Sequence, residues 1–190
     1  MPYTDYNWIT DRLAVGGRIP EPDEQFPFDA VMSLETHAPP AVRELAGAEG
    51  VDYRWFSIID GYSWEGHDEI VRRFDAAAEQ IHAWIEAGRT VLVHCTAGVS
   101  RSVTAIVWYL VRHEGYTWTD ALDLVRRFRP QANPNPRFEI PLRLTAGEAL
   151  TPEWMDERIR TFCTWMEEHH QVDIDPQAVW QDLERQGTLR

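Results

Sequence analysis

Cys95 and Arg101 are separated by five residues, with His94 directly before the cysteine, Gly98 between the two, and Ser102 directly after the arginine. These types at this spacing suit capture of a phosphate-like anion and attack on it by sulfur. Cysteine acts as a nucleophile in its thiolate form, which inward N–H groups, a helix N-terminus and a nearby cation all favour. Arginine offers a planar fork of donors that matches two phosphate oxygens at once, which a point charge cannot do. Gly98 lets the backbone turn sharply and approach the anion closely. Ser102 can donate to the sulfur and help it leave when a phosphocysteine is hydrolysed. His94 is expected to orient the loop through ring N–H bonds to backbone carbonyls. The remaining loop residues, Thr96, Ala97, Val99 and Ser100, are small and neutral and offer their backbone N–H groups to the anion.

Two elements must hold this loop. Thr90 to His94 is a continuous valine-rich run, the pattern of a strand buried on both faces. From Ser102 onward Val103, Ile106, Val107 and Leu110 fall at helical spacing. A loop from strand end to helix start turns successive N–H groups inward, and the helix N-terminus adds partial positive charge. Taken alone, Cys95 would read as an inert core residue beside a helix capped by Ser100 or Ser102. With 18 arginines in 190 residues, a Cys-x5-Arg pair also arises by chance about one time in ten. The histidine, glycine and serine in their places, together with the strand–loop–helix setting, outweigh that reading.

Composition narrows the class. A chain of 190 residues with 44% hydrophobic and 12% aromatic content is long enough for one domain with a substantial core. The net charge of −13 arises from 31 acidic and 18 basic residues, and every basic residue is arginine. Nucleic acid and anionic membrane require clustered cations, so neither is an expected partner. The lysine-free acidic composition fits a salt-adapted cytoplasm or a GC-rich genome. No signal peptide or spanning apolar stretch is read, and the two cysteines, Cys95 and Cys163, are expected to be reduced in a cytoplasmic chain. Cys163 lies in an amphipathic pattern and is expected to be a small core residue.

Taken in order, Ile9 to Gly17 reads as a hairpin-like edge, followed by an acidic, proline-rich surface loop over residues 18–28. A strand over Ala30–Leu34, a helix from Pro39 to about Ala48 and a strand over Tyr53–Ile59 follow. Asp60 to Gly66 reads as a loop, and a helix runs from Asp68 to Gly88 with Arg72 and Arg73 on a solvated, salt-bridged face. Beyond the helix from Ser102, Thr117 opens a helix to Phe128, a further helix covers Phe138 to Leu150, and Thr151 and Asp175 open two more. Repeated strand-then-helix units predict an α/β domain whose central, mostly parallel sheet is flanked by helices.

The run His94-Cys95-x-x-Gly98-x-x-Arg101-Ser102 resembles the signature of the cysteine-dependent protein tyrosine phosphatases, specifically the dual-specificity branch. Tyr109-Leu110, Ala121-Leu122, Arg129-Pro130 and Asn135-Pro136 are similar to the segment after the loop in that family, and Ile9 to Gly17 to its opening. The resemblance covers roughly residues 7–148. It implies a catalytic domain over residues 1–150, leaving 151–190 as a helical C-terminal extension, expected to pack on the same domain, with a partner or dimer surface as the alternative. It also implies an aspartate at the end of an upstream strand that protonates the leaving oxygen, a place Asp60 fits. The alternative for Asp60 is a turn pair with Gly61, and Glu65 and Asp68 fit the acid's place less well. Tyr62 and Trp64 could wall the cleft or pack the loop.

The implied activity is hydrolysis of phosphotyrosine, phosphoserine and phosphothreonine in proteins through a phosphocysteine, with Cys95, Arg101, Asp60 and Ser102 catalytic and Thr96 to Arg101 binding phosphate. It calls for no cofactor or metal. A small-molecule or nucleotide-end phosphatase of the same fold is the alternative. Inositol polyphosphates are disfavoured by the loop's lack of lysine. A phosphopeptide-binding module would have lost Cys95 or Arg101, and a sulfur transferase lacks the His94, Arg101 and Ser102 context.

Overall fold

Five short strands gather the apolar runs into one sheet. In chain order these are β1 (Tyr6–Trp8), β2 (Leu13–Gly16), β3 (Ala30–Leu34), β4 (Asp52–Phe56) and, after helix α1 (His67–Glu86), β5 (Val91–His94). Helices α2 (Arg101–His113), α3 (Trp118–Phe128), α4 (Pro136–Thr145), α5 (Pro152–His170) and α6 (Pro176–Arg185) follow. The computed structural model describes residues 5–17, 27–38, 47, 50–60 and 66–189. Residues 18–26 of the expected surface loop, most of the expected helix from Pro39, and Tyr62, Trp64 and Glu65 lie outside these residues, while Phe28 at the loop's end is buried in the core and not at the surface.

The sheet order is β1-β2-β5-β3-β4, antiparallel only between β1 and β2. The valine-rich strand β5 is therefore central, as a strand buried on both faces must be. Alternation sends Val91 and Val93, with Ala30, Met32 and Leu34, into the main core under α1 and α2. Leu92 and Val31 point the other way, onto Ala14 and Phe28 and the aromatic rings of Tyr6 and Trp8. The fourth strand ends at Phe56 rather than at the expected Ile59, and Ile59 is exposed at 40%. As an edge strand with one neighbour, β4 needs only the length over which β3 pairs with it.

Helix ends follow their caps. Thr117 Oγ1 accepts from the Asp120 amide at 3.1 Å, and Thr151 Oγ1 from the Trp154 amide at 3.2 Å. The helix expected over Phe138–Leu150 begins and ends earlier. Asn135 Oδ1 caps it by accepting from the Arg137 amide at 3.0 Å, Pro136 takes the first position, and Gly147 at φ 86° stops it. On α1, Arg72 and Arg73 both pair with Glu69, the expected salt-bridged face.

The last two helices share an interior with α4. Ile140 packs with Met155, Ile159, Phe162, Val179 and Leu183 in a second core that also holds Cys163. Burial pushes the Cys163 thiol up, which suits a small core residue. Ion pairs weld the same interface. Arg137 Nε meets Asp182 at 2.6 Å, and Glu139 lies between Arg143 (3.1 Å) and Arg158 (2.7 Å). Asp182, which also meets Arg185, and Glu139 are both buried with two arginine partners each, so a carboxylate stripped of both would be a stranded charge at a cost of about 3–5 kcal/mol. The His67 amide donates to Gln186 O at 2.8 Å and ties the end of the extension to the start of α1.

Candidate active site

Parallel pairing brings the C-terminal ends of β2, β5 and β3 side by side, the edge at which open α/β sheets bind ligands. The loop from Cys95 to Ser100 leaves this edge and delivers the chain into α2. Cys95 is buried at its base, and its Sγ accepts from the Gly98 amide at 3.3 Å and lies 3.3 Å from Ser102 Oγ. Ser102 Oγ also donates to Gly16 O at 3.3 Å, so a single hydroxyl proton is shared between that carbonyl and the sulfur. Gly98 sits at φ 64°, and a Cβ there would come within 2.6 Å of the Gly16 and Gly17 backbone. Both its conformation and its lack of a side chain are required.

Arg129 holds the loop from behind. Almost fully buried, it donates to the carbonyls of Gly98 and, at 3.0 Å, of Ala97, and anchors to Asn7 Oδ1 (2.9 Å) and Asp5 Oδ1 (3.0 Å). Turning those two carbonyls outward leaves the loop's amides free to face inward. The sequence reading quoted Arg129 only as part of a resemblance, because nothing local shows that it reaches the far side of the loop.

His94 has a partner beyond the backbone contact expected of it. Its Nε2 lies 2.5 Å from Ser33 Oγ, its cross-strand neighbour in the β3–β5 register. Burial pushes the imidazole down to about 4; the Cys95 backbone opposes this shift and the Arg101 charge adds to it. The unfolded chain takes up this proton near the ordinary value of 6.5, the folded chain only near 4. Between those limits the unfolded state holds more protons, so stability falls as pH drops through that window. The full window is worth about 3 kcal/mol. Urea unfolding across it should show a slope that His94→Gln flattens; an unchanged slope would remove His94 as its source.

Arg101 opens α2 and is buried. Nη2 donates to Thr96 Oγ1 at 2.8 Å, Nη1 reaches Glu35 Oε2 at 3.3 Å and Ile58 O at 3.4 Å, and Nε lies 3.4 Å from Asp60 Oδ2. Thr96 Oγ1 in turn donates to Glu35 Oε2 at 2.7 Å. The fork is thus aimed before any ligand arrives, and Glu35 was missed by the sequence reading. It is the first residue after β3, and only the pairing of β3 with β5 reveals that it faces the loop.

Asp60 is drawn into the same cluster. Its Oδ1 accepts from Ser100 Oγ at 3.3 Å and from Asn135 Nδ2 at 3.2 Å, while the Asn135 amide donates to Ser100 Oγ at 3.1 Å. Ser100 is the N-cap residue of α2 by position, yet its side chain makes no cap bond. It binds across the cleft instead, so the reading of Ser100 as a mere helix cap fails. Asn135 joins as an unforeseen member, placed by the same turn that caps α4. Asp68 is exposed in the first turn of α1, away from this cluster.

Cys95, Asp60, Val99, Ser100 and Asn135 share in lining a cleft of about 360 Å³, and Arg101 meets Asp60 beside it. The arrangement can seat a tetrahedral oxyanion over sulfur, with loop amides and a bidentate fork on its oxygens and a carboxyl group at the entrance. Among the described residues no group of three or more His, Cys, Asp or Glu is placed to hold a metal ion. Among them, too, no helix is long and apolar enough to cross a membrane.

Residues 16–146 match the family model of the dual specificity phosphatase catalytic domain. The chain belongs to this family. It is 33% identical over 122 residues to human dual specificity protein phosphatase 22, an alignment covering 64% of this chain and 59% of that protein. It is 41% identical over 90 residues to the MAP kinase phosphatase with leucine-rich repeats protein 3 of Dictyostelium discoideum, covering 46% of this chain and 10% of that one. The chain therefore spans well under two thirds of the length of these relatives. The crystal structure of human DUSP28 superposes with a TM-score of 0.63 over 76% of this chain and 95% of that one, at 22% identity, a likeness of fold. The dual specificity phosphatase match takes in the loop, Glu35, Asp60 and Asn135, and stops before α5.

Proposed function

We propose that this chain is a cysteine-based protein phosphatase acting on phosphotyrosine and on phosphoserine or phosphothreonine. The observation that carries the reading is that Cys95 and Asp60 line one cleft, with Arg101 against Asp60, in a chain of this family. Cys95 thiolate attacks phosphorus, forming the S–P bond as the P–O bond to the side-chain oxygen breaks. Arg101 and the amides of Thr96 to Arg101 stabilise the equatorial oxygens. An incoming phosphoryl group takes over the guanidinium contact that Asp60 now makes, and Asp60 gives its proton to the departing oxygen. Asp60 then takes a proton from the hydrolytic water, which breaks the S–P bond. Ser102 Oγ donates to the leaving sulfur. His94 holds the strand end below the loop, and these groups balance the reaction without a metal.

In this reading residues 1–150 form the catalytic domain and 151–190 an extension packed on it, with a cytoplasmic protein acting on phosphorylated proteins or peptides. The strongly acidic chain repels nucleic acid and anionic membrane. Phosphate release from a panel of phosphopeptides, phosphoinositides and nucleotides tests this reading. The expected result is a kcat/KM at least about tenfold higher for phosphopeptides than for the others, the size of one well-used specificity contact. The reverse order would establish a small-molecule phosphatase instead.

A further inference from the structure

The cleft above Cys95 has two sides of different origin. One side is the catalytic cluster, within the family match. The other is built by Phe162, Met166 and His170 of α5 and by Val172, Asp173 and Ile174 beyond it, all outside that match. We propose that this wall, residues 162–174, is the specificity element of the enzyme, and that it selects the aromatic ring of phosphotyrosine over the short side chains of phosphoserine and phosphothreonine. The proposal rests on the protein phosphatase reading and goes beyond it by naming the preferred substrate and the residues that choose it.

The chemistry of the two sides argues for a ring. Beside Cys95 the lining is polar, with Asp60, Ser100 and Asn135. The rest of it holds the apolar Val99, Phe162, Met166, Val172 and Ile174, together with Arg137, His170 and Asp173. A substrate that enters phosphate-first places its next atoms between these apolar groups. For phosphotyrosine those atoms are a flat ring with a large apolar area; for phosphoserine they are one methylene. Val172 is 43% exposed at the mouth, an apolar side chain whose remaining surface is open to a ligand.

The wall is also held in place, as selection by shape requires. Arg158 of α5 donates to Glu139 Oε2 at 2.7 Å, to Asn133 Oδ1 at 3.0 Å and to Pro134 O at 2.6 Å. The same loop ends in Asn135, which bonds Asp60, so wall and acid are referenced to one turn. Gln171 adopts φ 55° and reverses the chain at the end of α5, with the Val172 amide on Met166 O at 3.3 Å. That reversal lays Val172 to Ile174 across the cleft.

The test uses the full chain and one peptide sequence carrying phosphotyrosine or phosphothreonine at the same position. Wild type should favour the phosphotyrosine form by at least about tenfold in kcat/KM, the lower end of what an apolar pocket discriminates. Met166→Ala combined with Val172→Ala should cut that ratio about tenfold through a raised KM for the phosphotyrosine peptide. Phe162 is left intact because it belongs to the second core. Val172→Asp, at an exposed site, is the second variant should the double one lose its fold by melting temperature. A ratio unchanged within about twofold in a folded variant overturns the wall alone. A wild type that binds vanadate but hydrolyses neither peptide overturns the phosphatase reading, and the wall's selective role with it.

Discussion

Cys95→Ser should lower kcat on a phosphopeptide by at least about 10⁴-fold, since loss of a nucleophile removes the covalent route altogether. Serine keeps the size and the place of the side chain, and the remaining parts of the anion cradle are independent of sulfur. The amides are set by Arg129 pulling on the Ala97 and Gly98 carbonyls, and the fork by Thr96 and Glu35. Vanadate or phosphate should therefore still bind to the variant within about tenfold, which a melting-temperature shift would register. Arg101→Lys should fail in the complementary way. Its ammonium cannot span Thr96 and Glu35 while presenting two parallel donors to the ligand, so anion binding and turnover both suffer. Turnover by Cys95→Ser within tenfold of wild type would end the proposed mechanism.

Asp60→Asn should cost about 10²–10⁴-fold in kcat/KM on a phosphopeptide, the usual worth of a general acid. The amide keeps the shape and one acceptor for Ser100 and Asn135, but cannot give up a proton in the same way. On an activated aryl phosphate, whose phenolate leaves unprotonated, the loss should be far smaller. The pH profile of kcat/KM, corrected for substrate ionisation, should be bell-shaped in wild type and lose its basic limb in the variant. Equal losses on both substrates with the basic limb retained would make Asp60 a turn residue. The contacts of Asp60 with Ser100, Asn135 and Arg101 are the observation behind this expectation.

What the sequence by itself determined is local. The valine run of β5, the helical spacing after Ser102 and the types from His94 to Ser102 need only neighbours in the chain, because strand burial, helix periodicity and loop chemistry are short-range. The fold class followed from the same periodicities. The partners in space were decided by tertiary structure alone. Glu35 and Ser33 reach the site because β3 pairs in parallel with β5, a register that no stretch of sequence displays. Arg129 reaches the loop from the end of α3, thirty-one positions from Gly98. Ser100 abandons its helix for Asp60 and Asn135, since a buried hydroxyl goes to whichever partners the packing supplies. The same holds for the extension. An amphipathic pattern shows that α5 buries a face, but only the second core and its ion pairs decide that the face turns Met166 and Phe162 toward Cys95.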